Sequence, residues 1–468
     1  MGRLKIAVVG AGISGLSAAY RLRECCPDAE LAVFDRRNRP GGLIQTDLID
    51  GFEVEQSVDN FITTVPYGLD LCRKVGLESE IVTTTPQHRQ TFVVWKNRLC
   101  KLPDGFMMMA PTQWWPMAIT PLLSPWGKIR SGLELFVPRK KTDDDESMED
   151  FAVRRLGREA YDRLIEPLVS GVYAADMKKL SLLATLPRFR EMEKEYGSLI
   201  LAMLAARKNR KRHSEVQSGP RYNMFVTIRG GLGRLVHAVV NQLPANTLRL
   251  ETEVVSLERL SDGWNLTWRK DGQTRTERFE RLILATESHF GAKLLETAGL
   301  TRISSLLGGI EHTGTAIVTV AYRREQIRHK LDGMGAVVPA VEKSPILALS
   351  FSNEKYPHRA PEGYALLRIF SGGARNPEMV HLSDDALKKT LLENVSSILG
   401  ISGSPIMTSL SRWPNTMPQY HLGHLERVAQ IEKQVAEIPT LALAGNAFHG
   451  VGLPQCVHSG EEAAEKWA

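Results

Sequence analysis

Three glycines close to the N-terminus constrain this chain more than any other feature. Lys5 to Val9 (KIAVV) is a short apolar run with β-branched residues at its end, the pattern of a fully buried strand. Gly10, Gly12 and Gly15 follow in the spacing GxGxxG, and Leu16 to Leu22 then opens a helix. In such a unit the first glycine permits the tight turn and the second lets the backbone approach a pyrophosphate; the third lets helix and strand pack closely. Phosphates then sit at the helix N-terminus, where free N–H groups and the dipole favour negative charge. A second apolar strand, Leu31 to Phe34, ends at Asp35, about twenty residues after the last glycine, as a dinucleotide-binding βαβ unit requires. An acid there accepts hydrogen bonds from ribose hydroxyls and repels a 2′-phosphate. The glycine spacing alone is a weak signal; strand, helix, second strand and acid in register make it a strong one.

Arg39-Pro40-Gly41-Gly42, with Thr46 four residues on, gives the pattern RxGGxxxT directly after the second strand. It resembles the double-glycine signature of FAD enzymes in the amine-oxidase-like superfamily. Paired glycines let the chain pass a cofactor where a Cβ would clash, and NAD enzymes of this fold have no reason to carry them. Gly51 to Phe61 (GFEVEQSVDNF) resembles the stretch that returns beneath the flavin in such oxidases. Ser57-Val58-Asp59-Asn60 stands there where relatives carry Gly-Pro-Asp-Ser; composition alone equally allows a hairpin edge.

The 468 residues exceed one typical core, so two or three domains are expected. A hydrophobic share of 43% and a charged share of 24% are those of a soluble globular protein. The net charge of +6 fits an ordinary enzyme surface and also suits acidic ligands or an anionic membrane. The five cysteines lack metal-ligand spacing, and the adjacent Cys25 and Cys26 are not a redox CxxC, so reduced thiols in a cytoplasmic protein are expected, with no metal. No signal peptide is expected ahead of the first strand, and no apolar run reaches the roughly 18 residues of a membrane span. The basic cluster Arg207 to His213 lacks the aromatics and fold of a nucleic-acid site and reads as a surface loop.

Further along, Tyr67 to Val75 reads as a helix ending at Gly76, and Thr91 to Leu102 as a hairpin turning at Lys96-Asn97. Phe106 to Val137 changes character: Met107 to Met109, Trp114, Trp115, Trp126, Leu133, Leu135 and Phe136 mix with prolines and precede Arg139-Lys140-Lys141. Such a stretch suits a membrane interface at the inner face of the cell, an apolar cavity wall or plain core. Ser147 to Ile165 has helical periodicity broken only at Gly157, with Asp144 or Ser147 as N-cap. Phe225 to Val240 is a glycine-rich turn leading into an amphipathic helix, and Thr247 to Glu258 and Arg281 to Thr286 are strands. Alternating strands from about Ser304 to Gly423 predict a mostly antiparallel sheet. Thr440 to Gly445 is a last strand, followed by a second glycine-rich turn, Asn446 to Pro454, that would close on the same cofactor as the first.

With these residues assembled, the chain is similar from end to end to the porphyrinogen oxidases of haem biosynthesis. Glu166-Pro167-Leu168-Val169-Ser170-Gly171-Val172-Tyr173-Ala174 with Leu180-Ser181 resembles a segment peculiar to that family. So do Arg412-Trp413 with Met417-Pro418-Gln419-Tyr420 and Gly423-His424, and the closing Gly450-Val451-Gly452-Leu453-Pro454. The resemblance implies an α/β fold: a Rossmann-like FAD-binding domain with an inserted mixed-sheet substrate domain and a helical domain often associated with membranes. The boundaries expected are 1–90, 223–300 and 424–468 for the FAD domain, 91–105 and 301–423 for the substrate domain, and 106–222 for the helical one. Family FAD contacts carry over to Gly10, Ala11, Gly12, Ile13, Ser14 and Gly15; to Asp35, Arg36, Gly42 and Leu43; to Ser57, Val58, Asp59 and Asn60; and to Val254, Trp413, Val451, Gly452 and Leu453.

The implied reaction is a six-electron oxidation of a porphyrinogen through flavin, with O2 reoxidising it to give H2O2. No His, Cys or Ser constellation demands a general base, so no catalytic side chain is named. Coproporphyrinogen III is the expected substrate, because stretches such as Lys355 to Leu366 look like those of Gram-positive bacterial enzymes that use it. Mitochondrial-type protoporphyrinogen IX enzymes have an arginine just before the strand at Phe92; here that position is Thr91, with Arg89 two residues earlier. Protoporphyrinogen IX, an amine or carotenoid substrate, and a non-enzymatic flavin scaffold are the alternatives. The resemblance further implies hand-over of product to a ferrochelatase and a homodimer.

Overall fold

The computed structural model describes residues 3–88, 90–111, 113–213 and 224–468. β1 (Lys5–Val9), α1 (Ile13–Cys25) and β2 (Glu30–Phe34) form the βαβ unit, with the strands parallel from Lys5↔Glu30 to Val9↔Phe34. They belong to a five-stranded parallel sheet ordered Leu248–Arg249, β2, β1, Arg281–Leu284, Leu441–Leu443. A parallel sheet is covered on both faces, and alternate residues of β1 serve the two sides. Ile6 and Val8 pack in one core with Leu16 of α1, Val236 and Val457. Ala7 and Val9 pack in the other with Leu257 and Trp264, from an antiparallel meander of Glu253–Arg259, Trp264–Lys270 and Gln273–Phe279.

A seven-stranded sheet carries the second half of the chain, ordered Met407–Pro418, His312–Arg323, Tyr364–Gly372, Ile346–Phe351, Gly335–Val337, Thr91–Trp95, Arg98–Lys101. It is antiparallel except where Gly335–Val337 runs parallel to Thr91–Val93. The hairpin turn falls at Lys96 (φ 52°) and Asn97 (φ 57°), both left-handed, as a two-residue turn matching strand twist requires. The sheet begins later than its alternation suggests, at His312, because Thr301–Gly308 is helical. Leu387, Leu391, Val395 and Leu399 form one stripe of the helix Asp384–Leu399 and cover this sheet.

Among the described residues between the hairpin and Phe225 most are helical, around a core that includes Phe151, Leu164, Phe189 and Tyr420. Ser147 is the N-cap of Met148–Leu156, its side chain accepting the Asp150 N–H. Gly157 (φ 90°) stops that helix, and the chain restarts through a π-helical turn, Tyr161–Ile165, into Glu166–Tyr173. The basic stretch expected as a loop instead continues the helix Leu199–His213, consistent with the high helix propensity of Lys and Arg. Its side chains from Arg207 onward, the side chains of Met107 and Trp114, and Arg89 lie outside the described residues. The stretch from Phe106 to Val137 divides: Phe106, Met109, Met117, Leu122 and Leu123 are core, while Trp115, Ile119, Trp126, Ile129, Leu133 and Phe136 face outward. Among the described residues no helix is long and apolar enough to cross a membrane.

Candidate functional site

A cavity of ≈ 430 Å³ opens at the carboxyl ends of the parallel strands. That is where open α/β sheets bind ligands, and the volume lies in the range of small-molecule sites. Its floor is built by the first glycines. Gly10 (φ 109°) turns the chain and donates its N–H to the Phe34 carbonyl at 2.7 Å. Gly12 bridges to Gly41, and a Cβ on Gly42 (φ 60°) would stand 3.0 Å from Gly12 Cα. The double-glycine turn therefore lies directly on the first glycine loop. Arg39 fixes it from behind, donating to the carbonyls of Gly42 at 2.9 Å and Ile44 at 3.2 Å. Thr46, the last residue of that signature, donates to Glu55 at 2.7 Å and accepts the Gly233 N–H at 2.9 Å.

Two helices end at the cavity with nothing capping them. Neither α1 nor Leu453–Glu465 has a side-chain cap or an acid in its first turn. Gly12, Ile13 and Ser14 from one, and Val451 and Leu453 from the other, line the space. Two positive helix ends with unpaired N–H groups make one anion-binding wall. Asp35 Oδ2 accepts the Ala11 N–H and Oδ1 the Arg37 N–H, both at 2.8 Å, so the acid is oriented by the loop it faces. Arg36 lies over the Phe290 ring at 4.0 Å on the cavity wall.

Of the residues expected at the site, Gly10, Gly12, Ile13, Ser14, Asp35, Arg36, Gly42, Leu43, Val58, Val254, Val451 and Leu453 line this cavity. Ala11 and Gly15 are packed behind its floor, and Gly452 is the N-cap of the closing helix. Ser57, Asp59, Asn60 and Trp413 are not part of its lining. The Ser57 carbonyl accepts from Arg368, Asn60 donates to Asp59 Oδ1 at 3.0 Å, and Trp413 Nε1 donates to the Gln56 carbonyl at 2.8 Å. In Trp413's segment it is Thr416 that reaches the wall. Sequence reasoning did not single out Thr286, Phe290 and Lys293, which also line the cavity, while Asn446 opens the second glycine-rich turn. Thr286 was findable, as the last residue of a recognised strand of the parallel sheet.

Asp59 is the centre of a charge cluster joining the cofactor side to the seven-stranded sheet. Its carboxylate meets Lys355 Nζ at 2.9 Å, Arg359 Nη1 at 3.4 Å and Arg368 Nη1 at 3.5 Å. Burial works to raise its pKa, but Lys355, Arg368 and Arg359 together hold it well below the usual carboxylate range. Glu55 nearby goes the other way: burial pushes it up to about 7, offset in part by Arg359, the Leu232 N–H and Thr46. A carboxyl raised in the folded state contributes stability below its unfolded value, near 4.5, and loses it as the pH rises through about 7. Glu55→Gln is therefore expected to flatten the fall in stability between those pH values, measured by urea denaturation at a series of pH. An unchanged slope would mean that another group titrates there. The cavity holds no ready nucleophile among its thiols, because burial pushes Cys456 up to about 12.

Residues 13–466 match the model of the flavin containing amine oxidoreductases. Coproporphyrinogen III oxidase of Staphylococcus aureus is 31% identical over 98% of both chains. That of Propionibacterium freudenreichii is 34% identical over 98% of this chain and 90% of its own. A chloroplastic protoporphyrinogen oxidase of Nicotiana tabacum is 28% identical over 99% of this chain and 85% of its own. A crystal structure from Exiguobacterium sp. 255-15, provisionally named a protoporphyrinogen oxidase, superposes with a TM-score of 0.86 at 29% identity, covering 99% and 98% of the two chains. With the dinucleotide floor, the double-glycine turn and the two uncapped helix ends in place, the chain belongs to the flavin-containing amine oxidoreductase family, and within it to the porphyrinogen oxidases.

Proposed function

We propose that this protein oxidises coproporphyrinogen III to coproporphyrin III, with O2 as final acceptor and H2O2 as by-product. The observation that carries the substrate is the end-to-end match to bacterial proteins of that name, at 31% and 34% identity against 28% for the tobacco protoporphyrinogen oxidase. The cavity fits FAD on its own terms. A Cβ on Gly12 would meet no protein atom within 4 Å, so the cavity floor is open at the first glycine loop. Gly10 to Gly15 and the start of Leu453–Glu465 would hold the phosphates with backbone N–H groups. Asp35 would hold the ribose, with Val254 and Arg36 beside the adenine. Gly42, Leu43, Val58 and Thr416 would line the flavin end. Ser57, Asp59, Asn60 and Trp413 would support that end from behind.

FAD, when bound, supplies the two-electron acceptance that the conversion needs three times over. The chain's part is to orient the ring, keep water from it and hold the porphyrinogen against it. The exposed Trp115, Ile119, Trp126, Ile129 and Phe136, with Lys128, Arg139, Lys140 and Lys141 nearby, support a peripheral contact with an anionic membrane surface. Hand-over to a ferrochelatase and a homodimer belong to the same reading, testable by co-purification and sedimentation velocity.

Purified, FAD-loaded protein should be incubated aerobically with each porphyrinogen, with and without anionic vesicles, following porphyrin fluorescence and peroxide. Faster turnover of coproporphyrinogen III is expected. A preference for protoporphyrinogen IX would reverse the substrate and keep the chemistry. No fluorescence with either, despite bound flavin, would sink the porphyrin reading.

A further inference from the structure

Tyr420 lies where three parts of the molecule meet. It follows the strand Met407–Pro418 of the seven-stranded sheet by two residues. Its carbonyl accepts the N–H of Ser181, the N-cap of Leu182–Thr185, at 2.8 Å, and its ring belongs to the core of the helical region. Its hydroxyl reaches the cofactor side, donating to the Asn446 carbonyl at 2.6 Å and accepting the Gly450 N–H at 2.9 Å. The side chain is 2% exposed, and burial raises the phenol far above its ordinary pKa, so the donor proton is kept.

Those two bonds bracket Asn446 to Gly450, the segment between the last strand of the parallel sheet and the closing helix. His424 secures its middle. The imidazole stacks on Tyr420 with centroids 4.0 Å apart and planes at 12°, and its Nε2 lies 3.1 Å from the Phe448 carbonyl. A carbonyl only accepts, so Nε2 carries the proton. Burial lowers His424 to about 4, which keeps the ring neutral at ordinary pH. Asn446, at the start of the segment, and Val451, just past its end, both line the cavity. Other ties on the segment come from elsewhere: Gly445 N–H to Ser459 Oγ at 3.0 Å, and Asn446 Nδ2 to the Thr416 carbonyl at 3.3 Å.

We propose that Tyr420, braced by His424, is the positioning residue that sets the cofactor-binding turn Asn446–Gly450 from the substrate sheet and helical region. This rests on the reading that the cavity binds FAD. The hydroxyl makes no contact with the cavity itself; it acts through the backbone of the turn.

Tyr420→Phe keeps the ring, the stack and the packing and removes only the two hydroxyl bonds. The FAD dissociation constant is expected to rise roughly tenfold, read by flavin fluorescence after dilution of the holoprotein. The flavin midpoint potential should move as well, and kcat should fall with KM little changed. Tyr161→Phe is the control, since its hydroxyl also makes a part-buried bond, to Glu149 at 2.9 Å, but within the helical region. It should leave FAD affinity and potential unchanged. Tyr420→Phe protein with wild-type affinity and potential would overturn the proposal, and so would a lowered melting temperature with those two readouts unmoved. A wild-type protein that binds no FAD would overturn the cofactor reading, and the proposal with it.

Discussion

Asp59→Ala is expected to cost about 3–5 kcal/mol of folding stability, the usual penalty for removing one partner from a buried charge cluster. Domains of this kind are stable by only about 5–15 kcal/mol, so the variant should be marginal or insoluble. Arg359 and Arg368 are each about 1% exposed and cannot move out to water when their shared carboxylate goes. Lys355 is better placed to lose its proton, because burial already lowers its pKa against the pull of Asp59. The cluster also joins elements far apart in the chain: Arg359 Nη2 donates to the Asp59 carbonyl at 2.6 Å, and the Lys355 carbonyl accepts the Thr85 N–H at 3.0 Å. The sign with pH follows from the depressed pKa. Asp59 contributes stability above its unfolded value, near 4, and loses it only as the pH falls through the lower folded value. Urea denaturation of the two proteins at neutral pH measures the cost; a difference below about 1 kcal/mol would show that the cations find other partners.

Gly15→Ala and Gly12→Ala are expected to fail in different ways. A Cβ on Gly15 would overlap the Gly10 carbonyl oxygen and stand 3.3 Å from Ala285 Cβ, and neither can yield without moving the phosphate loop. The strain of such overpacking is about 1–3 kcal/mol or more, so the apoprotein itself should be destabilised by that amount. A Cβ on Gly12 meets nothing within 4 Å, and the residue has φ −68°, which alanine adopts freely. That variant should melt as wild type and yet bind FAD at least tenfold more weakly, because the added methyl enters the space reserved for the phosphates. Calorimetric melting of the apoproteins, with FAD titration, separates the two. Tight FAD binding by Gly12→Ala would place the phosphates elsewhere.

The first glycines, Asp35 and the double-glycine turn were legible because their partners lie within forty residues and each conformation has a local cause. Asp59 was legible as a position but not as a role, since Lys355, Arg359 and Arg368 come about 300 residues later with nothing local to pair them. Gly460 was invisible for a similar reason. It reads as an ordinary helix residue, yet any Cβ there would strike the Ser14 carbonyl, so it is what lets the closing helix lie against α1. That Thr416 lines the cavity and Trp413 does not has a geometric reason. The strand pairing shifts between Thr313 and Thr315, and such a bulge re-aims the side chains that follow. The family segment around Tyr420 was recognisable as a string of letters, but only the folded chain shows that its hydroxyl belongs to the cofactor side.

Because the parallel sheet takes strands from Lys5–Val9 and from Leu441–Leu443, and α1 is covered by Leu453–Glu465, synthesis order matters. The phosphate loop leaves the ribosome long before the strand and helix that finish its site. At roughly 5–20 residues per second, the apolar flank of α1 waits on the order of 20–90 seconds for its cover. Leu16 and its neighbours therefore lack this cover until Leu453–Glu465 has been made. The FAD site is complete only once Leu453–Glu465 has emerged.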